Sequence, residues 1–203
     1  MAKYSGVNHL AMVTADMDET IRYWRDLLGM PLVASLGRKG FRHYFFELSD
    51  QDMIAFFEWP GVTRIDIKDH GVPQAGPLAF DHLSIGVESK EDLHELTLKL
   101  DAAGFWVSEI IDHGFILSIY TFDPNNIPLE FSWNVEGIHI RKHPLLLDKH
   151  PSPEALKGSW PQAGAWPDPG TGVKKARDFT IYPGEGKIFS DMPRPGTAEK
   201  GEE

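Results

Sequence analysis

The sequence has no cysteine, few basic residues and no long apolar run, and each absence excludes a class of protein. Without cysteine there are no disulfides, no thiolate metal ligands and no cysteine nucleophile. The 20 lysines and arginines are outnumbered by 30 aspartates and glutamates, so we expect neither nucleic acid nor an anionic membrane as a partner. No apolar run approaches the roughly 20 residues of a membrane span, and the N-terminus shows no signal-peptide core, so we expect a cytoplasmic protein.

What the sequence does contain is an internal repeat, in which one strand, one helix and three strands occur twice. The predicted strands lie at 6–13, 32–36, 41–48 and 53–59 in the first copy, and at 79–85, 106–111, 115–121 and 127–133 in the second. The first helix begins after Asp16 or Asp18 and ends at Gly29. The second begins with a capping box of Ser89 and Asp92. The repeat predicts an α+β fold of two related modules, 6–59 and 78–133, joined by a Gly- and Pro-rich linker at 60–77.

The last two strands of the second module are predicted to meet at a tight turn, Asp123-Pro124-Asn125-Asn126. Proline presets φ in such a turn, and asparagine tolerates the left-handed region. On the strand that follows, Glu130 faces away from both of its apolar neighbours. A carboxylate in so apolar a strand must reach water, a partner or a metal ion.

Two histidines recur in register, because His9 and His82 occupy the same place in the first strand of each module. If a twofold axis relates the modules, these strands face each other and the two imidazoles converge, and Glu130 can join them. Two neutral imidazoles and one carboxylate on one side of a metal form the facial triad of non-haem Fe(II) oxygen chemistry. Either histidine alone is more simply interpreted as an ordinary strand residue, so the hypothesis depends on their recurrence.

With these ligands and modules, residues 6–133 resemble the vicinal oxygen chelate superfamily, which includes glyoxalases, bleomycin resistance proteins and dioxygenases. The resemblance implies a domain at 1–133 in which tandem βαβββ modules form a curved mixed sheet around a metal ion. The second module is most similar to type I extradiol ring-cleavage dioxygenases. Their motif of His, apolar-Tyr, Asp-Pro, a Gly turn and Glu is matched by His113, Ile119-Tyr120, Asp123-Pro124, Asn126 and Glu130. The one departure is asparagine in place of glycine, and asparagine also accepts positive φ.

The resemblance implies a chemistry as well as a fold. An Fe(II) ion, or Mn(II), is expected on His9, His82 and Glu130, with a catechol-like aromatic diol and dioxygen as substrates. His70 is expected to act as the acid–base catalyst, since an imidazole with a pKa near neutrality suits proton transfer. His113 and Tyr120 are expected to hydrogen-bond the two substrate oxygens. Such an enzyme would serve the catabolism of aromatic compounds.

The sequence alone does not decide which residues line the pocket, and two alternative functions remain. Candidates for the pocket wall are Phe45, Phe57, Phe115 and Trp106, and candidates for binding a substrate carboxylate are Arg38, Lys39 and Arg42. A glyoxalase- or epimerase-type enzyme would carry a fourth metal ligand in the first module. The equivalent position is Ala55, or Phe56 after a one-residue slip, and Glu58 would reach it only with a bulge. A metal-free protein that binds a small aromatic molecule is the third alternative.

The remaining segment, 134–203, has a different composition, since it carries nine of the fifteen prolines and no sustained periodicity. It predicts an extended arm with few regular elements and frayed residues from about Pro193. Its apolar residues argue against a freely solvated tail: Trp160, Trp166, Phe179, Ile181 and Tyr182. We therefore expect this arm to pack on its own domain or on a partner subunit, with Trp160 and Trp166 buried in a homo-oligomer.

Overall fold

The structure, a computed structural model, describes residues 6–76, 80–165 and 182–191. Three residues with sequence predictions, Trp166, Phe179 and Ile181, lie outside the described residues, as do 193–203 and the predicted start of the strand at 79. The chain divides into two compact units, Met1–Ile140 and Arg141–Glu203. Among the described residues, no helix is long and apolar enough to cross a membrane.

The first unit contains the two predicted βαβββ modules, which confirms the predicted fold class. Its strands are β1 (His9–Val13), β2 (Leu32–Arg38), β3 (Phe41–Glu47), β4 (Met53–Glu58), β5 (Leu83–Gly86), β6 (Ile111–Asp112), β7 (Ile116–Phe122) and β8 (Pro128–Asn134). They form two four-stranded sheets with the orders β1-β4-β3-β2 and β5-β8-β7-β6. In each sheet the first strand of the module pairs in parallel with the last, and the other pairs are antiparallel.

The helices begin and end where their caps predict. Asp16 caps α1 (Met17–Ile21), since its carboxylate accepts a hydrogen bond from the Glu19 backbone N–H at 2.9 Å. The helix continues through a π-helical segment at Arg22–Leu27 and stops before Gly29, which has a φ of 79°. The capping box of Ser89 and Asp92 opens α2 (Lys90–Ala102).

Helix α1 and its π-helical continuation contact both modules. The Trp24 ring contacts Phe56 of β4 at 5.6 Å, while the Tyr23 ring contacts Phe105, just beyond α2, at 4.7 Å. Burial and the nearby Asp123 carboxylate, at the end of β7, raise the pKa of Tyr23. A helix buried on two sides joins the modules into one hydrophobic core, and the opposite face of each sheet points away from that core.

A buried polar contact also connects the modules. The Asn125 side chain, in the turn between β7 and β8, accepts hydrogen bonds from the Thr14 hydroxyl at 2.8 Å and from the Ala15 backbone N–H at 3.0 Å. Its amide group donates to Thr20 at 3.3 Å and to Asp123 at 3.1 Å. Asn125 is 4% exposed, so its side chain depends on these protein partners rather than on water for its hydrogen bonds.

One predicted strand is wrong. Within residues 106–111 there is only an isolated bridge, between Val107 and Thr121. The last of these residues, Ile111, begins β6. Side chains interrupt the ladder there, because the Ser108 hydroxyl accepts the Tyr120 N–H at 2.9 Å and the Thr121 hydroxyl donates to the Trp106 carbonyl at 2.6 Å.

The second unit has the few regular elements that its composition predicts. The described residues contain short 3₁₀ helices at Ala155–Lys157 and Glu185–Lys187, and the single turn of α3 (Ile188–Asp191). Trp160 is 70% exposed, so the residues of its own unit do not bury this side chain. Tyr182 is exposed as well.

Candidate metal centre

The second sheet builds a polar site on the face that points away from the core. Glu130 of β8 pairs with Ser84 of β5 on one side and with Tyr120 of β7 on the other. Residues in facing register point to the same side of a sheet, and Leu129 and Phe131 point to the opposite side, into the core. Glu130 is nevertheless 4% exposed. It is a nearly buried carboxylate surrounded by polar side chains, as the sequence pattern predicts.

His82 lies beside this carboxylate, held by a second acid. Its Nδ1 is 2.6 Å from Asp81 Oδ1, and its Nε2 is 3.2 Å from Glu130 Oε2. Asp81 is itself bound by the backbone N–H of Gly71 at 2.9 Å and by the ammonium group of Lys68. These three interactions, with Lys68 the strongest, lower the pKa of Asp81 well below its usual range. Asp81 is therefore a fixed acceptor that places a proton on Nδ1 of His82.

The spacing of His82 and Glu130 suits two ligands of one cation. When Nδ1 donates to Asp81, Nε2 of a neutral imidazole is an acceptor, and it faces another acceptor, the Glu130 carboxylate. The two acceptors lie 3.2 Å apart, so either a proton or a cation must separate them. Neighbouring ligands on one ion, at metal–ligand distances of about 2.1 Å, lie about 3.0 to 3.4 Å apart in octahedral to tetrahedral geometry. The donor set and its spacing suit a divalent metal ion held by histidine and carboxylate.

Tyr120 and His113 extend the site in a hydrogen-bonded line. The Tyr120 hydroxyl donates to Glu130 Oε1 at 3.2 Å, and the ring of His113 contacts the same hydroxyl through Nε2 at 2.8 Å. Burial, reinforced by the Glu130 charge, raises the pKa of Tyr120 to about 12, so its hydroxyl keeps its proton at neutral pH. Burial also acts to raise the pKa of Glu130, but its polar neighbours Ser118, Ser84 and His82 outweigh that effect and lower it. The site thus holds an ionised carboxylate beside a neutral phenol.

His70 reaches this site from the linker. Its ring centroid is 4.9 Å from that of Tyr120 and 5.9 Å from that of His82, and it packs against Phe122 at 4.8 Å. Its Nε2–H donates to the Thr121 carbonyl at 3.0 Å, which leaves Nδ1 as the acceptor. Burial lowers the pKa of His70, so this imidazole is neutral at pH 7. The predicted acid–base histidine therefore lies among the other predicted site residues of the second module.

His9 lies elsewhere. It is exposed on β1, where its Nδ1 is 2.9 Å from the Asn8 side chain and its ring contacts Phe45 at 5.4 Å. Among the described residues, no cluster of three or more histidine or acidic side chains is positioned to hold a metal ion. The expectation that the two first strands face each other within one chain is therefore not met. Because both sheets pack their other faces into one shared core, the face with His9 and the face with Glu130 each point away from that core.

The first module has no counterpart of Glu130. His9 pairs with Met53, and Ala55 is two residues further along β4, in register with Ala11 and Phe45. In the second module the same offset from His82 gives Glu130. Glu58 cannot replace it, because it binds Arg42 and accepts the Met17 backbone N–H at 2.9 Å. The equivalence of Ala55 and Glu130 agrees with the alignment made from the sequence.

Sequence reasoning missed Asp81 and Lys68. Asp81 had a usable signal, since it directly precedes a predicted metal ligand and a ligating histidine commonly donates its other N–H to a carboxylate. Lys68 had none: it lies in an irregular linker, and only the fold buries it to 8% exposure beside Asp81. Of the predicted wall residues, Phe45 and Phe57 share the face of His9, Trp106 stacks near His70 at 6.4 Å, and Phe115 is partly exposed ahead of β7.

Comparison with known proteins gives the same fold. Residues 6–131 match the sequence profile of the Glyoxalase/Bleomycin resistance protein/Dioxygenase superfamily. A crystal structure of a glyoxylase/bleomycin resistance protein/dioxygenase domain from Frankia sp. EAN1pec is 27% identical, with a TM-score of 0.56, and the match covers 70% of this chain and 99% of that one. A search of curated protein sequences returned no match.

Two more distant structures share the fold alone. The fosfomycin resistance protein FosX from Listeria monocytogenes is 18% identical over 66% of this chain and 97% of its own, with a TM-score of 0.50. A glyoxalase/dioxygenase from Nostoc punctiforme is 14% identical over 64% of this chain and 92% of its own, with a TM-score of 0.52.

Proposed function

The chain belongs to the glyoxalase/bleomycin resistance protein/dioxygenase superfamily, and we propose that within it the protein is an Fe(II)-dependent dioxygenase that cleaves a catechol-like aromatic diol. The observation that carries this proposal is the pair of facing acceptors, His82 Nε2 and Glu130 Oε2, with the Tyr120 hydroxyl hydrogen-bonded to the same carboxylate. A cation site with a hydrogen-bond donor beside it suits a diol, whose oxygens can bind the cation and accept that hydrogen bond.

The third ligand, His9, is proposed to come from a second copy of the chain. Both β1 and β5 are edge strands, so each leaves one side of its backbone without a strand partner in its own sheet. Pairing β1 of one copy with β5 of another would bring the His9 face beside the His82 and Glu130 face. A twofold dimer would form two such sites and cover both edges. This arrangement retains the predicted ligand set of His9, His82 and Glu130 and the predicted homo-oligomer.

The chain's own residues have distinct roles in this reaction. An Fe(II) ion on the three ligands, or Mn(II), would supply the redox chemistry by which both atoms of dioxygen enter the ring-opened product. Tyr120 is a neutral phenol with one proton, so its hydroxyl would turn from Glu130 to donate a hydrogen bond to one oxygen of the bound diol, while His113 hydrogen-bonds the other oxygen. His70 is a neutral base at pH 7, so it takes one proton from the diol and returns it during ring opening.

A glyoxalase- or epimerase-type activity is the second candidate, and the lack of a fourth ligand at the equivalent position of the first module argues against it. That chemistry is expected to use a fourth protein ligand, and the equivalent position is occupied by the methyl group of Ala55. A metal-free aromatic-binding protein is the third candidate. The facing acceptors argue against it, because without a cation they require a protonated His82.

The test is oxygen uptake by anaerobically purified protein reloaded with Fe(II), Mn(II) or Ni(II), with catechols, hydroquinones and hemithioacetals as substrates. We expect uptake with a diol and Fe(II), loss of uptake in Glu130→Ala, and unchanged uptake in His94→Ala, which removes an exposed histidine of α2. Isomerisation of a hemithioacetal with Ni(II), without oxygen uptake anywhere in the panel, would contradict the dioxygenase and favour the glyoxalase-type candidate.

A further inference from the structure

A continuous strip of aromatic rings crosses the face of the first sheet that carries His9. Its ring centroids follow one another at 5.4 Å from His9 to Phe45, 4.3 Å from Phe45 to His43, and 3.7 Å from His43 to Phe57. The His43 and Phe57 rings are stacked at 18°. We call this row from His9 to Phe57 the aromatic strip. His9 is exposed and Phe45 and Phe57 are partly exposed, whereas His43 is buried, so a flat aromatic molecule would contact the first three of these rings.

The end of the aromatic strip that is remote from His9 lies beside a cleft. Phe57 contacts Phe41 at 5.9 Å and Trp59 at 5.6 Å, and both of these rings line the cleft. The cleft has a volume of about 460 Å³, within the range of small-molecule sites. Val13, at the end of β1, pairs with Phe57, so the strip runs the length of β1, about 13 Å at 3.3 Å per residue.

The cleft carries positive charge that the protein does not neutralise. Arg38 and Lys39 line it, both are exposed, and no carboxylate among the described residues lies within 4 Å of either. The Arg38 guanidinium is instead held over the Phe41 ring at 5.5 Å. Arg42 also lines the cleft, but its charge is paired with Glu58. In a chain with a net charge of −10, two cations without a carboxylate partner thus lie beside the Phe41 and Trp59 rings.

We propose that this cleft binds the anionic end of an extended aromatic substrate, with a carboxylate against Arg38 and Lys39 and a second ring along the aromatic strip. The inference rests on the proposed function only for which end of the substrate reacts: the diol would lie at the His9 end. The length of the strip excludes a single-ring diol from reaching both ends. The substrate class is therefore a diol of two or more rings, or of one ring on a flat linker, that ends in a carboxylate.

The test measures binding alone, so it does not depend on turnover. Isothermal titration of the full-length, metal-free protein would compare biphenyl-4-carboxylate with its uncharged twin, biphenyl-4-carboxamide. We expect the carboxylate to bind about tenfold more tightly at low salt, because an Arg–carboxylate pair is charge-assisted, and the preference to shrink at high salt. The Trp59 indole signal should shift in the NMR spectrum with either ligand.

Two variants decide the outcome. Arg38→Gln with Lys39→Gln should remove the preference for the carboxylate while leaving carboxamide binding unchanged. Arg22→Gln with Lys90→Gln makes the same change in net charge at exposed positions away from the cleft, and it should keep the preference. Equal binding of acid and amide by the natural protein, or an unchanged preference in the Arg38 and Lys39 variant, would overturn the proposal. Absence of oxygen uptake with Fe(II) would refute the dioxygenase and leave this binding result standing.

Discussion

Replacement of Asp81 by asparagine tests how the metal centre is built. The change keeps the size of the side chain and removes the acceptor that holds the Nδ1 proton of His82, at 2.6 Å. An amide group at this position can present its N–H₂ to Nδ1, and the imidazole proton would then move to Nε2, where it can donate to Glu130. In that tautomer Nε2 cannot bind a cation.

The structure sets the size of the expected effect. Asp81 binds Nδ1 of His82 and is not itself a metal ligand. The expected loss of metal affinity therefore comes from the changed orientation and tautomer of His82, not from a missing ligand. Replacement of such a supporting residue typically lowers metal affinity by 10- to 100-fold. Loss of a ligand itself, as in Glu130→Ala, should cost more. We therefore expect Asp81→Asn to bind Fe(II) or Mn(II) about 10- to 100-fold more weakly than the natural protein.

Two measurements on the same samples separate this account from general damage. Titration calorimetry with Mn(II) gives the affinity, and ¹⁵N chemical shifts of the His82 ring give its tautomer without any metal. Asp69→Asn is the matched control, because it makes the same change in charge next to Lys68 and does not contact His82 through its side chain. If Asp81→Asn binds Mn(II) as tightly as Asp69→Asn, or if His82 keeps its proton on Nδ1, the assigned role of Asp81 is wrong.

Three further predictions follow from contacts in the first unit. Asn125→Ala should destabilise the protein by about 1–3 kcal/mol, since it removes the acceptor shared by the buried Thr14 hydroxyl and the half-buried Ala15 N–H. Urea unfolding with Asn126→Gly as control would show this, and a change below about 0.5 kcal/mol would contradict it. Tyr120→Phe should retain Fe(II) and lose roughly 10²-fold in kcat, because only a hydrogen-bond donor is removed, whereas loss of iron would make Tyr120 part of the metal site. Because burial lowers the pKa of His70 below its ordinary value of 6.5, the unfolded chain binds the proton more readily, and stability should fall as the pH drops below 6.5. His70→Phe should flatten that dependence between pH 7 and 5, and an equally steep profile in the variant would refute it.

Much of the fold follows from local sequence signals. The capping box at Ser89, the stop at Gly29 and the turn at Asn126, whose φ is 65°, are each specified by residues within one turn of chain. The position of Glu130 opposite to Leu129 and Phe131 follows from strand parity alone. Because these signals depend only on neighbouring residues, they can be interpreted without knowledge of the tertiary structure.

The packing of the modules depends on contacts that sequence patterns describe poorly. A twofold repeat is compatible with first strands that face each other in one chain or in two. The deciding contacts are made by α1, where Tyr23 and Trp24 are adjacent and both fully buried. Two neighbouring aromatic residues widen the apolar stripe of a helix beyond the width that one sheet can cover. The adjacent aromatic residues were visible in the sequence, but the sequence does not show which surfaces pack against them.

Complementation between two inactive variants tests most directly whether two copies share the metal centre. His9→Ala and Glu130→Ala would each be purified and measured for Fe(II) content, and the two would then be co-expressed with different tags and purified as the mixed dimer. If the ligands come from opposite copies, one of the two sites in the mixed dimer has all three, so we predict about one Fe(II) per mixed dimer and almost none in either variant alone. A mixed dimer as empty of iron as its parents would contradict the shared site, and full iron content in His9→Ala alone would remove His9 from the ligand set.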